Sequence, residues 1–220
     1  IAQYFNKNSL DKINLNAIYH NDSKIKKENS NILKIKIRDT NIFTIKENLD
    51  KILKSFPNNI KLRLDFNGRL DLSRSVRLCK ELKDYNIDYI EQPAKKIDDL
   101  YELRMISEIP IAVDESLTDY QSLEIILQNG AADVLIIKPT LTGGVDDIKN
   151  IIETGSKEGL RIILTSSFET NIAQVFILHL IASFQIIEHC GILNIDLYNQ
   201  TGPEIIKDYC KVPKNSGLGL

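Results

Sequence analysis

Five ionisable side chains stand at the ends of five successive apolar runs: Lys36, Asp65, Glu91, Asp114 and Lys138. They recur about two dozen residues apart, the length of one strand-plus-helix unit. Three carboxylates brought together cannot all stay ionised without a cation. Oxygen donors with no His or Cys among them favour a hard ion, Mg²⁺ first and Mn²⁺ as a possible substitute. A lysine beside such a centre and a second lysine is expected to have a lowered pKa, which suits a general base near neutral pH. Two lysines flanking a bound carboxylate could remove its α-proton and stabilise the enediolate that results. Strand alternation also sends Lys34 inward with Lys36, and Arg63 and Asn67 inward with Asp65.

For these groups to meet, the runs that carry them must be neighbouring strands. Candidate strands cover 13–19, 32–38, 61–66, 87–91, 110–114, 133–138, 161–166 and 185–190. Amphipathic helices lie between most of them. Ile45, Leu49, Ile52, Leu53 and Phe56 share one face of 45–56, and Val145, Ile148, Ile151 and Ile152 share one face of 145–155. Gly130, Gly155 and Gly159 fall where helices are expected to end. The pattern predicts an α/β fold of parallel βαβ units, and eight strands favour a closed TIM-type barrel with functional groups at the C-terminal rim. A doubly wound sheet is the alternative, but no GxGxxG or GxxxxGK[ST] follows a strand. Residues 20–31 are polar and carry no helical face, so the first crossover helix is expected to be short or lost.

Each residue also has a plainer reading. An Asp at a strand end commonly caps the next helix, and Asp114-Glu115-Ser116 could do only that. Lys34 and Lys36 could protect an exposed edge strand. Gly143-Gly144 could cradle a phosphate, but turn geometry before the 145–155 helix accounts for it equally simply. Five fitting residue types on five consecutive strands are what these separate readings leave unexplained. His20, His179 and His189 have no place in the scheme, and His179 reads as a structural histidine within an apolar helix.

The chain has 220 residues, 43% hydrophobic and 26% charged, with a formal charge of −2. Nothing in that balance calls for nucleic acid or an anionic membrane as partner. Cys79, Cys190 and Cys210 form no CxxC pair and read as reduced thiols of a cytoplasmic protein. No signal peptide is evident, and the apolar run 172–187 is broken by Gln174, His179, Ser183 and Gln185. The first residue is Ile1 rather than Met, consistent with a fragment or a processed product. The oligomeric state is left open.

The motifs KIK at 34–36, DFN at 65–67, IEQP at 90–93 and DES at 114–116 resemble the muconate-lactonizing subgroup of the enolase superfamily, whose sites use a Lys or His base with Mg²⁺ and an ene-diolate. IKPTLTGG at 137–144, TSSFET at 165–170 and VPKNSGLGL at 212–220 are similar to the o-succinylbenzoate synthases. The resemblance implies a (β/α)7β barrel over 13–191, preceded by a remnant of a linker or capping region at 1–12. Residues 192–220 are implied to be an extension packing back on the barrel or cap, and the N-terminal capping domain to be missing or truncated. It implies Mg²⁺ on Asp65, Glu91 and Asp114, Lys36 as base and then acid, and Lys138 stabilising the enediolate. Lys34, Arg63 and Asn67 are implied to support the metal and the carboxylates of a small-molecule substrate. Ser166, Ser167 and Gly191 are implied to border the succinyl tail. The implied reaction dehydrates 2-succinyl-6-hydroxy-2,4-cyclohexadiene-1-carboxylate to o-succinylbenzoate in menaquinone or phylloquinone synthesis. The same scaffold also accommodates an N-acylamino acid racemase, a dipeptide epimerase or a cycloisomerase, or a lidless barrel that only binds.

Overall fold

The computed structural model describes residues 1–19, 30–192, 205–206, 208–215 and 217–218. In chain order the first elements are α1 (Ala2–Phe5), β1 (Lys12–Asn14), β2 (Ala17–Tyr19), β3 (Ile32–Lys36), α2 (Ile42–Leu53), β4 (Lys61–Asp65), α3 (Leu72–Glu81), β5 (Ile87–Glu91) and α4 (Ile97–Ile106). They are followed by β6 (Ile111–Val113), α5 (Tyr120–Asn129), β7 (Val134–Ile137), α6 (Pro139–Thr142), α7 (Val145–Lys157), β8 (Arg161–Leu164), α8 (Asn171–Ser183), β9 (Ile205–Ile206) and β10 (Tyr209–Lys211). The chain divides into two compact units, 17–135 and 1–16 with 136–220.

In the 17–135 unit, β2, β3, β4, β5, β6 and the start of β7 lie side by side in sequence order, every neighbouring pair parallel. Parallel pairing needs a crossover between strands, and α2 to α5 supply it. Their ends are set by side chains. Asn41 accepts the N–H groups of Phe43 and Thr44, Asp71 that of Arg74, and Asp119 forms a capping box with Ser122. The Asn41 cap starts α2 three residues before the expected boundary. Gly130 takes the left-handed conformation (φ 62°) that ends α5, as the sequence predicted. On β4 the alternation of 61–66 does not separate wet from dry: Leu62, Arg63, Leu64 and Asp65 are all buried. Both faces of the strand are covered, the usual state of a parallel sheet.

In the other unit the end of β7 accepts the Thr165 N–H on Ile137 O at 2.9 Å, just beyond β8. Two expected strands are altered here. The 13–19 run is interrupted: β1 pairs antiparallel with β10, and Leu15 makes an isolated parallel bridge to Cys190. The 185–190 strand shrinks to bridges at Cys190 and Gly191, because α8 reaches Ser183 and a left-handed Gln185 (φ 55°) turns the chain after it. Helix α7 runs on to Lys157, so Gly155 lies inside it and Gly159 (φ 79°) makes the turn instead. Gly144 is the N-cap of α7, its N–H held by Asp147 at 2.9 Å, so the Gly143-Gly144 pair serves a helix start. The described part of 192–220 returns as β9 and β10 beside β1. His179 is structural: Nδ1 accepts the Ala2 N–H (3.3 Å), Nε2 lies 3.1 Å from Leu218 O, and burial lowers its pKa. Residues 20–29, where the first crossover was expected to be shortened, lie outside the described residues. Among the described residues no helix is long and apolar enough to cross a membrane.

Candidate active site

Register across the 17–135 sheet turns the sequence motifs into rows. Lys36 is paired with Asp65 and Asp65 with Glu91, so one row crosses the C-terminal ends of β3, β4 and β5. Lys34, Arg63 and Tyr89 form the row beneath it. Asp114 lies just past β6, two residues beyond the Ala112 that pairs with Glu91. Helix α5 is capped by Asp119, so Asp114 is not spent as a cap.

The two lysines of the KIK motif have different surroundings. Lys34 Nζ lies 2.7 Å from Glu91 Oε1 and 3.4 Å from Asp65 Oδ2. Burial alone would lower its pKa, but Glu91 and Asp65 outweigh that and carry it above the ordinary lysine value. The charges around Lys34 are carboxylates, and they favour its ammonium form. Lys36, one row up, is exposed and has no side-chain partner among the described residues. Glu91 is fully buried. Desolvation, reinforced by Asp65 and Asp114, pushes its pKa up to about 8 against the pull of Lys34.

Arg63 is wholly buried beneath this cluster, its Nε 2.8 Å from Asp88 Oδ2 and its guanidinium 4.8 Å from the centre of the Tyr89 ring. It supports the site from within rather than at its open end. The register slips between Leu62 and Arg63, passing from Ile87 to Tyr89, so Asp88 is the extra residue of a β-bulge. Asn67, with a left-handed backbone (φ 46°), donates from Nδ2 to Glu115 Oε1 at 2.8 Å and from its N–H to Asp65 Oδ1 at 3.1 Å.

The carboxylates suit a divalent cation chemically. Asp65, Glu91 and Asp114 are buried, Asp65 and Asp114 raise the proton affinity of Glu91, and Glu91 Oε2 is buried with no hydrogen-bond partner among the described residues. An orphaned carboxylate oxygen is costly unless something positive meets it. Among the described residues no three such groups converge tightly enough to hold a metal as they stand. The Lys34 ammonium stands between two of them.

The remaining expected residues belong to the other unit. Lys138 is the N-cap of the four-residue α6 at the end of β7. Ser166 is buried, with its N–H on Gly191 O at 2.8 Å. Ser167 is bound through N–H and Oγ to Glu169, which also accepts from Thr140 at 2.8 Å. Gly191 serves packing: a Cβ there would sit 3.1 Å from Thr165 Cγ2. Gln92, Asp88, Tyr89 and Glu169 carry interactions that the sequence reading did not single out. Gln92 and Glu169 lay inside quoted motifs, whereas a bulge leaves no mark in the hydrophobic pattern.

The family described as enolase C-terminal domain-like matches residues 22–220. The chain belongs to that family. Among curated proteins it is 31% identical over 112 residues to an o-succinylbenzoate synthase of Thermobifida fusca (strain YX), covering 51% of this chain and 34% of that protein. It is 29% identical over 205 residues to an L-Ala-D/L-Glu epimerase of Bacillus subtilis (strain 168), covering 88% of this chain and 55% of that protein. The chain thus spans between a third and just over half of these relatives. A substrate-liganded L-Ala-D/L-Glu epimerase from Bacillus subtilis superposes with a TM-score of 0.88 at 23% identity, over 99% of this chain and 65% of that one. A dipeptide epimerase from Enterococcus faecalis V583, complexed with Mg and the dipeptide L-Leu-L-Tyr, does so with the same score and identity, over 99% and 66%. Likeness at that identity establishes the α/β fold, and the family match makes it that of the enolase superfamily. The curated relatives described above are a synthase and an epimerase.

Proposed function

We propose that this chain carries the proton-transfer machinery of an enzyme acting on a small carboxylate, with o-succinylbenzoate synthesis as its reaction. The observation that supports this best is the division of labour within KIK: Lys34 is bound to two buried carboxylates, and Lys36, at the end of the same strand, has no side-chain partner among the described residues. Asp65, Glu91 and Asp114 would hold Mg²⁺ (or Mn²⁺), which when bound supplies positive charge that acidifies the proton α to a carboxylate. Lys36, as the free amine, takes that proton from the ring carbon bearing the carboxylate. The ammonium so formed then gives the proton to the hydroxyl on the adjacent carbon. The C–O bond breaks, water leaves, and the ring becomes aromatic. Lys138 is assigned the charge that steadies the enediolate, and Ser166, Ser167 and Gly191 the succinyl side of the substrate. In the same reading the fold is the (β/α)7β barrel over 13–191, supported by the bridges Leu15–Cys190 and Thr165–Gly191.

The test is turnover of 2-succinyl-6-hydroxy-2,4-cyclohexadiene-1-carboxylate with Mg²⁺ and with chelator, and with Lys36→Ala as control. Metal-dependent dehydration that Lys36→Ala abolishes is the expected result. Turnover without metal, or by Lys36→Ala, overturns the mechanism. The longer match to an epimerase, over 88% of this chain, favours a second reading. In it Lys36 and Lys138 are both assigned to exchange of the α-proton of a dipeptide. Deuterium uptake from D₂O into L-Ala-L-Glu, without dehydration of the cyclohexadiene, would select it.

A further inference from the structure

Gln92 follows Glu91 directly and has a left-handed backbone (φ 39°), a conformation that side-chain-bearing residues seldom adopt. It is almost completely buried, at 1% exposure. Its amide is used in full. Oε1 accepts the N–H of Asp114 at 2.9 Å and of Ser116 at 3.2 Å. Nε2 donates to Ala94 O at 2.8 Å and to Ser116 Oγ at 2.7 Å. Its own N–H goes to Ala112 O at 2.8 Å, and its carbonyl accepts the Gly68 N–H.

One side chain therefore fastens the residue after Glu91 to the backbone of Asp114 and the turn that follows it. Both Oε1 bonds run to backbone N–H groups, so they locate the chain at Asp114 without using the Asp114 carboxylate. Asn67 makes a parallel tie from the end of β4, through Glu115. A buried amide whose donors and acceptors are all satisfied fixes one geometry, because any shift leaves a buried group unpaired. The strained backbone fits that purpose: it is held by six hydrogen bonds that a relaxed extended residue would not make together.

We propose that Gln92 is a positioning residue that sets the separation of the Glu91 and Asp114 carboxylates, and through it the affinity for a divalent cation. The inference rests on the metal-site reading given above. Mn²⁺ binding to the intact chain, followed by the loss of the free-ion electron paramagnetic resonance signal, tests it alongside thermal unfolding in chelator. Gln92→Met removes all four side-chain bonds at similar volume and is expected to weaken Mn²⁺ binding about 10- to 100-fold. Ser116→Ala removes one bond and is expected to weaken it less. Gln92→Glu, which keeps the acceptor for both N–H groups, is expected to fall between Gln92→Met and wild type. If Gln92→Met unfolds more easily but binds Mn²⁺ as wild type does, Gln92 is merely structural and the proposal fails. Should Gln92→Met not fold, unchanged binding by both Ser116→Ala and Gln92→Glu overturns it. No Mn²⁺ binding by wild type overturns the metal reading and this proposal together.

Discussion

Lys34→Met is the substitution that most directly separates the two jobs assigned to the KIK motif. The Lys34 ammonium lies 2.7 Å from Glu91 and 3.4 Å from Asp65. At an effective dielectric of about 20 those distances correspond to roughly 6 and roughly 5 kcal/mol of gross attraction. Most of that is offset by desolvation of the three charges, so the gross figure overstates the effect of removal. Taking away one partner of a buried ion pair costs about 3–5 kcal/mol, because the other is left buried and uncompensated. For a chain of this length each kcal/mol corresponds to about 2–4 °C in Tm. Above pH 8, where Glu91 is ionised in the wild-type chain, Lys34→Met is therefore expected to melt about 6–20 °C lower than wild type in chelator.

Excess Mg²⁺ should reverse much of that loss, since a cation held by these carboxylates would do the electrostatic work of the missing ammonium. Scanning fluorimetry of both proteins, in chelator and in Mg²⁺, reads this directly. The expected pattern is a large deficit in chelator and a small one in Mg²⁺. Lys34→Met as stable as wild type in chelator would refute the charge argument. A deficit of the same size in both conditions would show that Lys34 and the metal do not share the carboxylates.

Three further outcomes follow from the same geometry. Glu91 has a folded-state pKa of about 8 against an ordinary 4.5, so the folded chain keeps a proton that the unfolded chain releases. Its contribution is present below the lower value and lost as pH rises through the higher one; denaturant titrations in chelator should show stability falling over that window, and Glu91→Gln should flatten the slope. Arg63→Met takes the guanidinium away from buried Asp88 and should cost about 3–5 kcal/mol in urea unfolding. Arg63→Met with Asp88→Leu should recover most of that loss. Gly191→Ala places a methyl 3.1 Å from Thr165 Cγ2 and should destabilise by about 1–3 kcal/mol, with Thr165→Ser in the same chain restoring stability because it removes that carbon.

Much of the site was legible because two periodicities constrain it. One βα unit per step places Lys36, Asp65 and Glu91 on successive strands, and alternation puts them on one face of each. The observed row requires nothing more. What alternation does not distinguish is position i from position i+2, and Lys34 and Lys36 differ only in that. Their separation into a bound and an unbound lysine comes from the third dimension, where Lys34 reaches up one row to Glu91 and Asp65. Capping chemistry was legible for α5 only after its start was known, since both Asp114 and Asp119 are acceptable caps by residue type. The strands expected at 13–19 and 185–190 form only in part, for another reason. Their β-propensity is real, but β10 takes up the first part of one, and the turn after α8 consumes most of the other.

The row beneath the site shows why the polar side of 61–66 needed a structure to interpret. Alternation correctly turned Arg63 and Asp65 to one side, and that alone suggested two groups facing the same ligand. The bulge at Asp88 separates them. By adding one residue to β5 it brings a carboxylate within 2.8 Å of Arg63, and Tyr89 stacks against the guanidinium from the neighbouring strand. Arg63 is thereby neutralised where it stands, and its charge is largely withdrawn from the carboxylates above. Had Arg63 paired with Asp65 or Glu91 instead, a permanent cation that cannot be deprotonated would have held those oxygens. With Arg63 held by Asp88, the partner left for Glu91 and Asp65 is a lysine on a flexible stem, a cation that can swing aside for another.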